Sequence, residues 1–268
     1  MKKQKEYHPS MQPYLDGQVI LFDKPLKWTS FDIIKKVRYQ TRIAKVGHAG
    51  TLDPLATGLL IVCTGKFTKQ INDYMGMEKE YTGSITLGAT TPTFDLESEP
   101  TQFTTLDNIT AQKVLDATAQ FTGAIMQMPP MHSAIKKDGQ RLYYAARSGE
   151  VVEIDPRPVT IYEFEITAIE LPVVHFRVRC STGTYIRSLA NDFGAALGVG
   201  GYLSSLRRTK IGSFTVEDAM QITAFEQHIA TLKGRPIPNC KARLFTFKPE
   251  ARVSVIAKFL TLIHPLFC

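Results

Sequence analysis

Hydrophobic positions along the chain fall mostly into short apolar runs and period-two alternations, the signature of strands. Gln18-Val19-Ile20-Leu21-Phe22 reads as a strand that Asp23-Lys24-Pro25 ends. Leu59-Leu60-Ile61-Val62-Cys63 is a continuous apolar run and reads as a buried strand. From Tyr81 to Leu87 the chain alternates, with Tyr81, Gly83, Ile85 and Leu87 on one face. Val159–Ile169, Val174–Cys180, Tyr202–Arg208 and Ile211–Phe214 read as further strands. Helical periods are fewer. Thr29-Ser30-Phe31-Asp32 resembles a capping box, and the helix after it directs Phe31, Ile34, Val37 and Ile33 toward the core. A short helix opens at Gly65-Lys66-Phe67-Thr68-Lys69 and runs to about Tyr74; others span Ala111–Phe121 and Tyr185–Leu197, the last turned in by Gly183. Strands and helices alternate irregularly and no repeat is visible. The pattern predicts an α+β fold with a largely antiparallel, mixed central sheet flanked by helices and loops.

Three stretches lie outside that pattern. Residues 1–15 are polar with two prolines and read as a mobile tail, or as a basic arm for RNA. Residues 88–109, rich in Thr, Pro and acid, read as a loop. Residues 124–157 begin with Met126, Met128, Pro129, Pro130, Met131 and His132 and continue into a basic helix from about Gln140 to Ser148, with Arg141, Tyr143, Tyr144 and Arg147. Aromatics interleaved with cations suit a surface that grips folded RNA, and a helical excursion packed on the sheet fits the same pattern. The expected organisation is a tail over 1–15, a main domain over 16–228, and a short C-terminal segment over 229–268.

At 268 residues the chain suits one large domain, alone or with a small appendage. A hydrophobic content of 44% and a charged content of 21% are ordinary for a globular protein. The net charge of +7 changes the picture, because a basic protein tends to meet an acidic partner and nucleic acid is the commonest. Lys35, Lys36, Arg38, Arg42 and Lys45 cluster on or just beyond the first long helix, where they suit either a phosphate track or a solvated face. The four cysteines, Cys63, Cys180, Cys240 and Cys268, form no C-x-x-C pair and no zinc spacing; a reduced, cytoplasmic setting fits. The basic N-terminus precedes no apolar h-region, and Lys258 interrupts the only long apolar tract, so neither a signal peptide nor a membrane span is expected.

One stretch concentrates candidate chemistry. Gly47-His48-Ala49-Gly50-Thr51-Leu52-Asp53-Pro54-Leu55-Ala56-Thr57-Gly58 holds one carboxylate, one imidazole and three glycines, immediately before the buried strand. Glycines there let the backbone turn tightly or approach a ligand. Pro54 fixes its own φ and biases Asp53 away from helix. The result is either a positioned carboxylate or an Asp-Pro turn in an ordinary loop.

This dodecamer resembles the catalytic motif of the TruB family, the pseudouridine synthases of the tRNA T-loop. Asp23-Lys24-Pro25, Lys79-Glu80-Tyr81, Pro130-Met131-His132-Ser133-Ala134, Gly183-Thr184-Tyr185-Ile186-Arg187 and Leu206-Arg207-Arg208 follow the family's motifs, so the resemblance covers roughly Gly17 to Thr223. It implies a pseudouridine synthase fold with residues 124–157 as a thumb over the T-arm. The reaction breaks the base–sugar bond of uridine and remakes it through carbon, so no cofactor and no metal is implied. Asp53 is then the nucleophile, already ionised at neutral pH. Arg187 is its guanidinium partner. Tyr81 stacks under a flipped uracil. Tyr185 supports the pocket, Leu206 forms its apolar wall, and His48 helps hold the base out of its stack. Lys24, Lys69, Arg141, Arg147 and Arg208 are expected as RNA contacts. His132 stands where the family usually has tyrosine. The family usually carries a C-terminal RNA-binding barrel, for which the residues after about Gln227 are too few, and Lys241–Cys268 matches no part of it. The implied partner is the T-arm of tRNA, with no membrane and no obligate protein partner, acting as a monomer. The rival readings are a tRNA-folding chaperone with weak or lost catalysis, a synthase directed by guide RNA, and a generic nucleic-acid-binding module.

Overall fold

The apolar run after Gly58 is the centre of one packed unit. A computed structural model describes residues 7–131, 136, 137, 140, 141 and 155–234. It separates into two compact units, one built from the chain up to Gly76 and from Lys210 onward, the other from Met77–Thr209.

In the first unit a short helix α1 (Gln12–Asp16) precedes strand β1 (Val19–Lys24), helix α2 (Ser30–Thr41), strands β2 (Val46–Ala49) and β3 (Ala56–Thr64), and helix α3 (Ile71–Gly76). β3 lies between β1 and β2 and pairs antiparallel with both, Ile61 facing Leu21 on one side and Ala49 on the other. Paired on both edges, it is buried along nearly its whole length and tolerates an unbroken apolar sequence. Thr29 and Asp32 form the expected capping box at the start of α2. Ile33, Ile34 and Val37 face the core, together with Ser30 and Thr41. Phe31 does not, contrary to expectation: it is 51% exposed. Residues 33, 34, 37 and 41 complete a helical stripe on one face, and position 31 falls on its flank, roughly 100° from the centre of the stripe.

The returning chain adds the turn strand β11 (Phe214–Thr215) and helix α6 (Ile222–Leu232). Met220 bonds in parallel beside Phe22 of β1, and Phe225 and Ile229 of α6 pack into the same core as Ile33, Val37, Leu60 and Val62. Lys36 and Gln40 of α2 both reach Glu226 of α6, at 2.9 and 3.0 Å. Met11 and Tyr14 are buried in this core too. Residues 9–16 are therefore docked structure and not tail, held by two apolar side chains that the polar composition around them concealed.

The second unit is a sheet in the order β10 (Gly201–Ile211), β4 (Lys79–Leu87), β9 (Val173–Cys180), β8 (Arg157–Glu170), β5 (Gly123–Gln127); the last two residues of β10 belong to the first unit. In it β4 and β9, β8 and β9, and β5 and β8 pair antiparallel. Phe164, Phe176, Phe193 and Phe121 make edge-to-face contacts at 5.4–6.5 Å on its apolar side. Helix α4 (Ala111–Asp116) is shorter than expected and gives way to a 3-10 turn at Ala119–Phe121. Helix α5 (Ile186–Ala196) follows Gly183, whose φ of 86° suits glycine. A Cβ at Gly194 would collide with the backbone of Gly200 and Gly201, so this glycine lets α5 lie close against the start of β10. Strands β6 (Lys136–Lys137) and β7 (Gln140–Arg141) pair antiparallel, and Gln140 and Arg141 are strand where a helix was expected to begin. The remainder of that predicted helix, His132, and Lys241–Cys268 lie outside the described residues. Among the described residues no helix is long and apolar enough to cross a membrane.

Two stability predictions follow from buried polar groups. The Tyr14 hydroxyl is buried with no hydrogen-bond partner, and burial pushes its pKa well above the usual tyrosine value. An unsatisfied buried hydroxyl costs about 1–3 kcal/mol, so Tyr14→Phe should raise the unfolding temperature by a few degrees in calorimetry; a lower temperature would mean the hydroxyl is satisfied in solution. Lys79 is 6% exposed on β4, and burial, then the nearby Arg208, push its pKa down to about 8. Above pH 8 the unfolded chain retains this proton while the folded chain sheds it. Stability should therefore rise from about pH 8 toward 10.5, by roughly 1–3 kcal/mol, and Lys79→Met should lack that rise in denaturant titrations at successive pH values.

Candidate active site

Each unit contributes an arrangement of the expected residues. In the first, Asp53 sits in the turn between β2 and β3. Gly50, with φ of 87°, turns the chain out of β2. Leu52 is buried, and the Ser30 hydroxyl holds its backbone from both sides: the Leu52 N–H donates to Oγ at 2.8 Å, and Oγ donates to the Leu52 carbonyl at 3.0 Å. The Asp53 carbonyl accepts from the Ala56 N–H at 3.1 Å and closes the turn. The Pro54 carbonyl accepts from the Lys27 N–H at 2.8 Å and from the Lys24 ammonium at 3.4 Å. Gly58, with φ of 100°, lies just inside β3. The residues on both sides of Asp53 are thus fixed through their backbones, and Asp53 itself is half-buried. His48 lies on β2 opposite Val62, also half-buried.

Lys24 has a different place from the one expected. It is fully buried at the end of β1, and its ammonium also donates to the carbonyls of Trp28 at 2.5 Å and Pro25 at 3.1 Å. Burying a charge is costly unless dipoles compensate it, and here backbone carbonyls do so. Arg208 is likewise buried, at 1% exposure. Neither presents a cation at the surface for phosphate. Lys69 is exposed on the 3-10 turn Gly65–Gln70. Arg141 lies in β7, and Arg147 falls outside the described residues.

In the second unit Tyr81 is buried on β4 in register with Val178, and Leu206 is half-buried on β10. Tyr185 caps α5. Its N–H donates to the Gln127 side-chain oxygen at 2.8 Å, and its carbonyl accepts from the Gln127 amide nitrogen at 3.0 Å. Ser188 donates to the Met128 carbonyl at 2.7 Å. The end of β5 thereby anchors the first turn of α5, where Arg187 is 5% exposed. Its guanidinium donates to the Thr93 carbonyl at 3.3 Å and lies 3.7 Å from the Asp95 carboxylate. Asp95 is 4% exposed; it also accepts from the Glu97 N–H at 3.0 Å, and its segment bridges in parallel to Leu203.

Asp95, Gln127 and Ser30 are residues that sequence reasoning did not find. Asp95 is one acid in a loop rich in acids, and nothing in spacing separates it from Glu97 or Glu99. Phe94 takes a φ of 63°, which turns the loop back against β10 and buries the acid beside it. Among the described residues the two cysteines are poorly placed for thiol chemistry. Burial pushes Cys63 up to about 12 and Cys180 to about 11, so neither is a thiolate at neutral pH.

Comparison with known proteins gives this arrangement its context. A family model described as TruB family pseudouridylate synthase, N-terminal domain, matches residues 36–186, and one described as tRNA pseudouridylate synthase B C-terminal domain matches residues 187–237. The chain is 54% identical over 225 residues to tRNA pseudouridine synthase B of Flavobacterium johnsoniae, covering 81% of this chain and 98% of that protein. It is 49% identical over 213 residues to the protein of the same name from Chloroherpeton thalassium, covering 78% and 88%. Among solved structures, a Cbf5-Nop10-Gar1 complex contains a chain with TM-score 0.66 and 30% identity over 84% of this chain. An H/ACA RNP bound to a substrate RNA containing 2'-deoxyuridine contains one with TM-score 0.63 and 26% identity over 87%. This chain spans only 58% and 62% of those two. The match to the first family model runs over more than half of the sequence, and the relatives match at about half identity along most of their length. The chain belongs to the TruB family of pseudouridylate synthases, a family of isomerases.

Proposed function

We propose that this enzyme isomerises the T-loop uridine of tRNA, position 55, to pseudouridine, with Asp53 as nucleophile. The observation that carries the reading is the Asp53 turn, clamped at Leu52 by Ser30 and at Pro54 by Lys24 and Lys27. A carboxylate needs no base to activate it, but it must be positioned, and backbone clamps on both neighbours do that at no cost during reaction. The relatives' name supports tRNA as substrate. In the reaction the bond from ribose C1' to N1 of uracil breaks, the base turns, and a bond from C1' to C5 forms while the C5 proton is lost and N1 gains one. Nothing is oxidised or added, so the reading requires no cofactor.

The resemblance to the family makes Arg187 the guanidinium partner of the nucleophile; within its own unit the guanidinium is held by Asp95 and the Thr93 carbonyl. Tyr81 stacks under the flipped uracil, Tyr185 and Leu206 complete its surroundings, and His48 helps keep the base extruded. Lys69, Arg141 and Arg147 contact phosphates; Lys24 and Arg208, being buried, are left out of that set. The enzyme acts in the cytoplasm as a monomer, without an obligate protein partner.

Tritium release from tRNA transcript labelled at uracil C5 tests the reading. The wild-type protein should release tritium from the T-loop uridine, and a transcript with that uridine replaced by cytidine should release none from the site. Asp53→Asn keeps shape and removes charge, so turnover should vanish while tRNA binding stays within about twofold. Single-turnover product from Asp53→Asn would remove Asp53 as nucleophile.

A further inference from the structure

The solvent face of α2 is unlike an ordinary charged helix surface. Phe31, Lys35, Arg38 and Arg42 recur at helical spacing along one flank of the buried stripe, with Tyr39 further round on the solvent side. Phe31 is 51% and Tyr39 64% exposed, so two large rings stand in solvent on one helix. Both carry cations. Lys35 lies 5.1 Å and Arg38 5.9 Å from the centre of the Phe31 ring, and Arg42 lies 5.0 Å from that of Tyr39. Acidic neutralisation is slight: Asp32 pairs with Lys35 at 3.0 Å, and Glu226 is engaged by Lys36 off the stripe. Lys45, also exposed, extends the positive run past the end of the helix.

The face is tied to the reactive turn within the same unit. Ser30, at the start of α2, holds Leu52 next to Asp53. Arg38 donates to the Val46 carbonyl at 2.9 Å, where β2 begins toward His48. The stripe therefore starts beside the Asp53 turn and runs along about three turns, roughly 16 Å. Its cations recur every three or four residues, or about 4.5–6 Å along the axis. That spacing places one cation near each successive phosphate of an RNA strand, while the exposed rings offer flat apolar surfaces to ribose or to an unstacked base.

We propose that this stripe is an RNA-binding track, which takes the backbone of the strand leading away from the nucleotide at Asp53, with phosphates on Lys35, Arg38 and Arg42 and with Phe31 and Tyr39 against ribose or base. The proposal rests on the reading of the enzyme as acting on tRNA. RNA is favoured over other occupants because the face is cationic and aromatic together and begins at the turn proposed to carry out the chemistry.

The test is a salt titration of tRNA binding by the full chain, read by fluorescence anisotropy, with tritium release measured in parallel. Three variants are compared: Lys35→Gln/Arg38→Gln/Arg42→Gln, Phe31→Ser/Tyr39→Ser, and Lys113→Gln, a cation on α4 that is not part of the stripe. The triple variant should flatten the log–log salt slope by roughly 2–3, at about 0.7–0.9 per phosphate contact. The aromatic pair should weaken binding roughly tenfold with the slope retained, because stacking is not an ionic contact. Lys113→Gln should match the wild type. Unfolding temperatures check that each variant is folded. A wild-type slope in the triple variant together with unweakened binding by the aromatic pair overturns the track. So does loss of self-association in these variants with RNA binding intact, which assigns the face to a second copy of the chain. If the variants show the predicted changes in tRNA binding but the wild-type protein releases no tritium, the track stands and the proposed reaction is overturned.

Discussion

A buried ammonium sets the geometry on which the first unit depends. Lys24 ends β1 inside the protein, and its charge is taken up by the carbonyls of Trp28, Pro25 and Pro54. A cation deprived of water holds such dipoles firmly, because releasing one leaves the charge uncompensated in a medium where that is expensive. The loop before α2 and the turn after Asp53 are therefore bound to a common point. Ser30 supplies the matching constraint at Leu52. What β1, α2 and β3 present together is a carboxylate whose chain neighbours cannot drift.

The second unit solves a similar problem with a different device. The first turn of α5 carries Arg187, and a helix end buried without capping groups is unstable. Gln127 meets this need by taking both backbone groups of Tyr185, and Ser188 returns a bond to Met128. Gly194 lets the helix approach β10 closely. Asp95 and Thr93 then hold the guanidinium from a loop that has no regular structure. In both units hydrogen bonds between side chains and backbone fix the chain around the candidate residue, the Asp53 turn in one and the first turn of α5 in the other.

Much of this was legible in the chain. The apolar run Leu59–Cys63, the alternation from Tyr81, and the capping box at Thr29 each carry a local physical signal, and each appears as read. The motif around Asp53 marked a constrained turn because its glycines and proline demand particular backbone angles, and Gly50 and Gly58 take positive φ. The misses share a cause. Lys24 and Arg208 read as surface cations because the sequence does not state what surrounds a charge. Phe31 read as core because it is apolar, although its helical phase places it in solvent. Met11 and Tyr14 dock through contacts with residues far along the chain, and Asp95 is buried by tertiary packing of its loop. Local pattern cannot carry that information.

The proposed reactivity of the Asp53 carboxylate depends on backbone clamping of its turn. That dependence is tested most directly by single-turnover kinetics of Lys24→Met at saturating tRNA. This variant retains the length of the side chain and removes the charge that holds the Pro54 carbonyl. The account predicts a fall of roughly 10²-fold in the rate of the chemical step with tRNA affinity little altered, since a displacement of about 1 Å suffices for such a loss. A folded Lys24→Met protein that turns over at the wild-type rate would contradict it.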